Sequence, residues 1–339
     1  MSQISVIMPV HNTAPQLLHQ AIKSVLSQSF TDFEFIILND SPYNKQIKEI
    51  ISTYKDQRII YHETKGDQGI SKSYNQLLDM ATSKYIAIMN HDDICHPHRL
   101  KKQYEYLEKH KEVGLLGTAF KKFGEINRFK TVTNPQTHEE ICSIMLFRSP
   151  IHHPTTMYRR EIAIQHKIRY NESFISLNDR QLYYDFSKYT RLANINDVLY
   201  RYRFHVNMTS KSKRDIIRQE RKIFHKLWFA QNAIELTQEE IDTFDNYVTN
   251  GRCRIKDISI LESIRDILQK LARINAEKQL HPTEIFNKIC GKYIIKRCLN
   301  GAWYGKLNTQ PILKSTTLPL RIKPLLRVLN IINSIRGGK

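Results

Sequence analysis

Short apolar runs alternate with stretches of helical periodicity over the first half of the chain. Strands are predicted by the apolar runs at 4–8, 33–38, 59–61 and 85–89. Helices are predicted by apolar residues at helical spacing at 16–28, 47–54, 71–80 and 97–110. Strands that alternate with helices in this way are typical of parallel βαβ units.

The pattern changes further along the chain. It is mixed at first, with strands predicted at 113–117, 155–158, 191–194 and 198–204 and helices at 139–147 and 179–188. From about residue 212 every strong periodicity is helical, at 216–230, 238–248, 258–276 and 282–298. We therefore predict an α/β domain over residues 1–213 and a helical C-terminal region over residues 214–339.

The chain carries an excess of positive charge, which indicates an anionic partner. Its 339 residues include 52 Lys and Arg against 33 Asp and Glu, a net charge of +19. No acidic residue follows Glu284. After Pro324, seven apolar residues are interspersed with Arg327, Arg336 and Lys339, a basic amphipathic pattern that predicts contact with an anionic membrane. A helix docked on the rest of the chain, with a solvated basic face, is the alternative.

Cysteine usage and hydropathy favour a cytoplasmic location. The five cysteines are widely spaced and form no Cys-x-x-Cys pair, which suits reduced thiols. No apolar run is long enough to span a bilayer, and the first residues lack the pattern of a signal peptide. We expect a cytoplasmic protein, peripheral on the inner face of the plasma membrane.

Polar residues follow three of the predicted strands, at 9–12, 39–41 and 90–93. Ligands bind at the carboxyl ends of strands in open parallel sheets, so these loops should meet on one rim. Neither a dinucleotide-binding glycine motif nor a P-loop occurs. Asp92 and Asp93 offer carboxylates of the kind that Mg²⁺ or Mn²⁺ prefers when it holds a diphosphate. Capping of the next helix is the alternative interpretation.

The order and spacing of these segments resemble glycosyltransferase family 2, the inverting transferases of GT-A fold. Asn90-His91-Asp92-Asp93, followed by Pro97-His98-Arg99-Leu100, resembles the family's DxD motif and its trailing Pro-x-Arg-Leu. The other segments that carry the resemblance are 5–12, 21–30, 35–41, 69–75, 150–155, 178–179 and 202–205. The segment 141–159 and the ending near His205 are most similar to bacterial transferases that extend lipooligosaccharide or other surface glycans.

The resemblance implies an enzyme that transfers a hexose or N-acetylhexosamine from a nucleotide-diphosphate donor, which we expect to be UDP-linked, to a lipopolysaccharide, lipooligosaccharide or capsular glycan. It implies Mg²⁺ or Mn²⁺ as the cofactor, with Asp92 and His205 as metal ligands. It assigns Asp179 as the general base. For the nucleotide it assigns Pro9, Val10, His11, Asn12, Asp40, Lys72, Asn75, His91 and Asp92. For the acceptor pocket it assigns Asp93, His152 and His153.

Several of these assignments have a structural alternative. Asp40 can accept from a uracil or ribose group, or form an Asx turn. Lys72 could neutralise diphosphate or be solvated, and His205 could approach the metal or lie at the surface. For the whole chain two alternatives stay open. One is a nucleic-acid-binding protein, although no nucleic acid is the expected partner; the other is an inactive relative in which Asn39, Asn90 and Asn178 replace customary acids.

Overall fold

The computed structural model describes residues 2–125, 130–204, 214–251, 253–305 and 307–318. Within these residues one sheet contains nine strands. The strands are β1 (Ile4–Val10), β2 (Phe33–Asn39), β3 (Ile59–Glu63), β4 (Tyr85–Ile88), β5 (Ile94–Cys95), β6 (Val113–Gly124), β7 (Lys130–Val132), β8 (Met157–Arg159) and β9 (Arg191–Phe204).

Seven helices accompany these strands, and the later part of the chain is helical. The first seven are α1 (Pro15–Leu26), α2 (Lys45–Ser52), α3 (Ile70–Met80), α4 (Arg99–Lys109), α5 (His138–Met145), α6 (Arg160–Gln165) and α7 (Asn178–Ser187). After β9 come α8 (Arg214–Gln231), α9 (Gln238–Thr243), α10 (Ile258–Lys278), α11 (Thr283–Asn300) and α12 (Gln310–Lys314). Phe244–Thr249 and Gly301–Gly305 form π-helical turns.

The sheet is mixed, and most of its paired residues lie in parallel ladders. The strand order is β3-β2-β1-β4-β8-β6-β9-β5, with β7 paired to β6. β3, β2, β1 and β4 are parallel to one another, β8 runs antiparallel to β4 and β6, and β6 is parallel to β9. The predicted mixed, mostly parallel sheet flanked by helices is confirmed.

The sequence of β1 explains its central position. All seven of its residues are buried, because helices cover both faces of this part of the sheet. α1 contributes Leu18, Ile22 and Val25 to the same core at helical spacing. A run of apolar residues without alternation therefore becomes a fully buried strand, whose carboxyl end projects polar residues from the sheet.

Two compact units make up the chain. The first contains Met1–Ile141 and Ser149–Ile217, and the second contains Cys142–Arg148 and the chain from Arg218 onward. The predicted boundary at 213/214 lies four residues before Ile217, where the first unit ends. The prediction kept Cys142–Arg148 in the first domain, whereas the contacts of this segment group it with the second unit. No helix among the described residues combines the length and apolar character needed to cross a membrane.

A buried histidine binds Cys142–Arg148 into the second unit. The imidazole of His225 is hydrogen-bonded with the carboxylate of Asp245, in the first π-helical turn, and at 2.9 Å with the carbonyl oxygen of Leu146. Phe147 stacks on Tyr293 with ring centroids 4.6 Å apart. Because the contacts of Leu146 and Phe147 join residues about 80 to 150 positions apart in the chain, sequence periodicity did not reveal them.

The structure differs from the predicted elements in several places. β9 is one continuous strand, although separate strands were predicted at 191–194 and 198–204, because irregularities in its pairing with β6 break its period. The helix predicted at 238–248 changes to a π-helical turn at Phe244. β5 has two residues and was not predicted, since so short a strand leaves no periodic signal.

Gly117, in the middle of β6, tests the packing of the sheet. A methyl group there would lie 2.6 Å from Cγ2 of Ile151 and closer still to Oδ1 of Asn194, whereas one at Gly66 would meet nothing within 4 Å. Gly117→Ala should therefore lower the free energy of unfolding by about 1–3 kcal/mol. Urea denaturation followed by circular dichroism measures this change. Gly66→Ala is the control, and an equal loss in both variants would contradict the packing argument.

Candidate active site

The three polar loops predicted to meet on one rim lie together. β1, β2 and β4 are neighbours in register, with Val10 opposite Asn39. The hydroxyl of Ser41 lies 3.0 Å from Nδ1 of His11 and accepts from the backbone amide of Asn12 at 3.0 Å. These contacts join the first two loops at the carboxyl end of the sheet.

The third loop joins the first through Thr13, whose hydroxyl lies 2.6 Å from Nδ1 of His91. Asn12 adopts φ 46°, in the left-handed region that asparagine tolerates better than most residues, so the chain turns sharply after β1. Pro9 and Val10 are buried as the last residues of that strand. The rim thus consists of short loops that are hydrogen-bonded to one another.

Asp93 is fully buried beneath the rim. Its carboxyl oxygens accept hydrogen bonds from the side-chain amide of Asn90 at 3.0 Å, the hydroxyl of Tyr200 at 3.0 Å and the backbone amide of Arg203 at 2.7 Å. Burial, and next the charge of Asp92, raise the pKa of Asp93 well above its usual range. This carboxyl group therefore anchors the loop, and its place in the predicted acceptor pocket stays a prediction.

Asp92 has a different environment from its neighbour. It is half-buried, and its backbone carbonyl accepts from the guanidinium of Arg203 at 2.6 Å. The same guanidinium donates to the side chain of Gln20 at 2.5 Å and packs over Phe123, 4.4 Å from the ring centroid. Arg203 fixes the backbone that carries Asp92, so the Asp92 carboxylate is presented from a rigid loop.

Asp179 lies in the first turn of α7. Its carboxylate accepts from the backbone amide of Arg180 at 2.7 Å and from the hydroxyl of Ser149 at 3.3 Å. Burial raises the pKa of Asp179 to about 6, and the hydrogen bonds and the nearby charge of Arg180 oppose part of this effect. A carboxylate with this pKa is mostly deprotonated at neutral pH but is a stronger base than an exposed one.

Tyr74 is buried, and the charges of several site residues act on its phenol. Burial raises the pKa of its phenol, and the nearby groups Tyr158, Asp93, Asp92 and Asp179 raise it further, in that order. Its ring stacks on Tyr170 at 4.8 Å and meets His153 edge-on at 4.9 Å. The charges of both halves of the candidate site, at the DxD-like loop and at α7, therefore act on one buried tyrosine.

Two predicted nucleotide-binding residues, Asp40 and Asn75, are hydrogen-bonded to backbone groups elsewhere in the chain. Asp40 is buried, and its two oxygens accept from the backbone amides of Gln68 at 3.0 Å and Gly69 at 3.1 Å. Asn75 is buried, and its side chain exchanges two hydrogen bonds of 2.9 Å with the backbone of Tyr170. The Asx turn considered for Asp40 is formed by its neighbour Asn39, whose side-chain oxygen accepts from the backbone amide of Ser41 at 2.9 Å. Lys72 is exposed on α3.

His152 and His153, the histidines of the predicted acceptor pocket, are packed against aromatic rings. His152 stacks on Phe120, with centroids 3.9 Å apart, and meets Tyr202 edge-on. His153 is hydrogen-bonded to the hydroxyl of Tyr170 at 2.8 Å. Burial lowers the pKa of each imidazole to about 3, with a further contribution at His152 from nearby positive groups. Both rings therefore lie among aromatic side chains.

The predicted metal ligands are only partly described. His205 lies outside the described residues. The one group of three ligand-type side chains found within the described part of the chain is His11, Asp40 and Asp67, whose ligand atoms all lie within 4.8 Å of one another. Since both oxygens of Asp40 already accept backbone hydrogen bonds, this group has the character of a loop anchor.

Sequence reasoning did not identify the residues that hold the site in place. Tyr200, Arg203, Ser149 and Thr13 each contact a predicted site residue. Arg203 lies in the family-like segment 202–205, which was the single available signal for it. Tyr200 and Ser149 resemble ordinary strand and loop residues, and only the tertiary structure shows their contacts.

Comparisons with known proteins agree with this architecture. A relative from Haemophilus influenzae, named an uncharacterized glycosyltransferase, is 31% identical over 61% of this chain and 67% of its own length. The amylovoran biosynthesis glycosyltransferase AmsE of Erwinia amylovora is 26% identical over 62% of this chain and 79% of its own. The O-antigen biosynthesis glycosyltransferase WbnJ of Escherichia coli is 28% identical over 62% and 84%.

Solved structures share the fold. S. aureus TarS 1–349, solved in complex with UDP-GlcNAc, matches 89% of this chain and 91% of its own with a TM-score of 0.58 at 16% identity. The mannosyltransferase PcManGT from Pyrobaculum calidifontis, solved with GDP-Man and Mn²⁺, matches 89% and 87% with a TM-score of 0.53 at 14% identity. The family model for glycosyl transferase family 2 matches residues 5–181, more than half of the chain. The chain is therefore a glycosyltransferase enzyme that belongs to glycosyl transferase family 2.

Proposed function

We propose that the enzyme transfers a hexose or N-acetylhexosamine, with inversion, from a UDP-linked donor to a lipopolysaccharide, lipooligosaccharide or capsular glycan. The observation that carries this proposal is the rim of hydrogen-bonded loops at the carboxyl ends of β1, β2 and β4, on which Asp92 lies in a loop anchored by Asp93 and Arg203. The relatives named for amylovoran and O-antigen biosynthesis support a surface-glycan acceptor, and the UDP-GlcNAc bound to TarS supports the donor class.

The rim residues His11, Asn12 and His91 would contact the nucleotide. They are joined to one another through Ser41 and Thr13, so the polar groups that face a ligand are pre-positioned. Asp40, buried between this rim and the start of α3, would act on the nucleotide chiefly by holding Gln68 and Gly69 in place. Lys72, exposed near the start of α3, would supply positive charge for the diphosphate.

Asp92 fits a divalent cation, Mg²⁺ or Mn²⁺, better than Asp93 does. Hard cations prefer carboxylate oxygens and keep water and phosphate as their other ligands. The carboxyl of Asp93 is fully buried and accepts three hydrogen bonds, while Asp92 lies half-buried on a backbone held by Arg203. When bound, the cation would neutralise the diphosphate of the departing nucleotide, as the Mn²⁺ in the PcManGT structure supports. His205 stays a proposed second ligand.

Asp179 would act as the general base. Its carboxylate would accept the proton of the acceptor hydroxyl as that oxygen attacks the anomeric carbon in line with the leaving diphosphate. The hydroxyl of Ser149 and the amide of Arg180 orient this carboxylate. His152 and His153, neutral and set among aromatic rings, would form an uncharged wall against the acceptor sugar.

We expect Asp92→Asn to raise the Mn²⁺ concentration needed for half-maximal UDP release by about tenfold or more, because an amide oxygen is a poorer ligand than a carboxylate. Asp93→Asn should mainly lower thermal stability, because the buried group is an anchor. A donor screen with UDP- and GDP-sugars, with Mg²⁺ or Mn²⁺, measures turnover, donor and metal together. Full activity in excess chelator would rule out the metal role.

The base makes the rate depend on pH. The pKa of Asp179 is raised to about 6, and only the deprotonated form accepts a proton, so transfer should fall about tenfold per pH unit below pH 6 and level off above it. Asp179→Asn should reduce transfer by about 10²-fold or more while donor binding is kept. Asp185→Asn, on the same helix, is the matched control. If Asp185→Asn abolished transfer and Asp179→Asn did not, the assignment would be wrong.

The basic C-terminal tail is proposed to contact an anionic membrane on the cytoplasmic side, where a lipid-linked acceptor would be found. Apart from its first residue, Leu318, the segment lies outside the described residues. Deleting the chain from Leu318 onward should reduce sedimentation with anionic vesicles, because Arg327, Arg336 and Lys339 are removed, and should leave donor hydrolysis unchanged. Sedimentation equal to that of the full chain would favour a docked tail.

A further inference from the structure

The last long helix, α11, carries a row of exposed lysines. Lys288, Lys292 and Lys296 recur every four residues and are all exposed. Four residues advance an α-helix by slightly more than one turn, so the three side chains follow one face over about 12 Å. Among the residues that the structure describes, none of these lysines forms an ion pair.

Apolar side chains share this face, and two exposed aromatic residues follow it at the end of the helix. Ile285, Ile295 and Leu299 fall within about 60° of Lys292 at 100° per residue, and each is partly exposed. The helical backbone continues through Gly301, with φ −61° and ψ −46°, into the π-helical turn that carries Trp303 and Tyr304. These two aromatic residues are each 47% exposed, which is unusual for side chains of this size.

A further cation lies beside the aromatic pair. The guanidinium of Arg254 packs over the ring of Tyr304, 5.1 Å from its centroid. Gly305 allows this arrangement, because a methyl group there would lie 2.5 Å from the carbonyl oxygen of Ile255. Glu284, four residues before Lys288, lies at the start of the same row, about 40° from Lys288 around the axis, and no acidic residue follows it in α11. The face is therefore mainly cationic and apolar, with one acidic side chain at its first turn.

We propose that this lysine face, formed by Lys288, Lys292 and Lys296 together with the exposed Trp303 and Tyr304 that follow the helix, docks on the headgroups of an anionic lipid bilayer. Lysines extend their ammonium groups to lipid phosphates while their stems lie along apolar surface, and tryptophan and tyrosine favour the boundary between headgroups and acyl chains. The helix would lie in the plane of the membrane. All of its residues precede residue 319, so it is a different segment of the chain from the C-terminal tail.

Charge complementarity favours lipid over the other occupants of such a face. A nucleic acid would be bound by the same cations but gives no role to partly exposed Ile285, Ile295 and Leu299. A protein partner would favour mixed charges at the rim of the contact, whereas this face carries three lysines and a single acid, Glu284, at its first turn.

The test is sedimentation of the full chain with vesicles of phosphatidylcholine containing about 30% phosphatidylglycerol, at about 0.1 M salt. The triple substitution Lys288→Gln, Lys292→Gln and Lys296→Gln should weaken partitioning about 100-fold, from a factor of about five for each lysine. Trp303→Ala should weaken it several-fold and do so at high salt as well, because its contribution is apolar.

The matched control is Lys55→Gln, Lys109→Gln and Lys278→Gln, which removes the same charge from exposed lysines at scattered positions. Equal losses in the two triple variants would show a general effect of net charge and would overturn the proposal. Unchanged sedimentation of the variant that lacks Lys288, Lys292 and Lys296 would also overturn it. Loss of binding to a DNA oligonucleotide without loss of binding to vesicles would identify nucleic acid instead. Thermal melting checks that the variants fold.

The outcome does not depend on the transfer reaction. A chain that sediments through the lysine face but releases no UDP with any donor would contradict the proposed function and leave this inference standing. A chain that transfers sugar but does not sediment would support the proposed function and contradict this inference. Donor hydrolysis in the triple variant should equal that of the parent chain, because no substituted residue belongs to the candidate active site.

Discussion

The candidate site depends on the hydrogen bonds that the buried carboxyl group of Asp93 accepts. A carboxyl with no access to water is destabilising unless its oxygens are hydrogen-bonded, and an unsatisfied buried polar group costs about 1–3 kcal/mol. Here Asn90, Tyr200 and the backbone of Arg203 satisfy it. The loop after β4 is thereby fixed to β9, a strand that lies about 110 residues later, so the rim has one arrangement.

Two neighbouring carboxyl groups therefore have different roles because their surroundings differ. Burial and the adjacent charge raise the pKa of Asp93 and favour its neutral form, while Asp92 projects from a backbone that Arg203 holds. A site with both carboxylates charged and exposed would repel itself in the absence of a cation. With Asp93 as the anchor and Asp92 as the proposed ligand, the loop would keep its shape before a metal and a nucleotide bind.

The sequence was sufficient for the sheet and the position of the rim, because β1, β2 and β4 are predominantly apolar runs that are followed by polar residues. It was not sufficient for the contacts across the sheet. Tyr200 and Ser149 have no local pattern that marks them, and the roles of Asp40 and Asn75 as anchors of neighbouring loops appear only once residues 68–69 and 170 lie beside them. Local periodicity reports which face is buried, not which distant polar group it meets.

Asparagines at three positions where the family has acids are consistent with an active enzyme. The side-chain amide of Asn39 donates to Tyr61, that of Asn90 to Asp93 and that of Asn178 to the hydroxyl of Ser71. A carboxylate cannot donate a hydrogen bond, so an acid at any of these positions would leave its partner differently satisfied. At Asn90 an acid would also place a third carboxyl beside Asp92 and Asp93. The amides therefore fit this chain's own hydrogen bonding, while Asp92 and Asp179 keep the two carboxylates that the proposed chemistry requires.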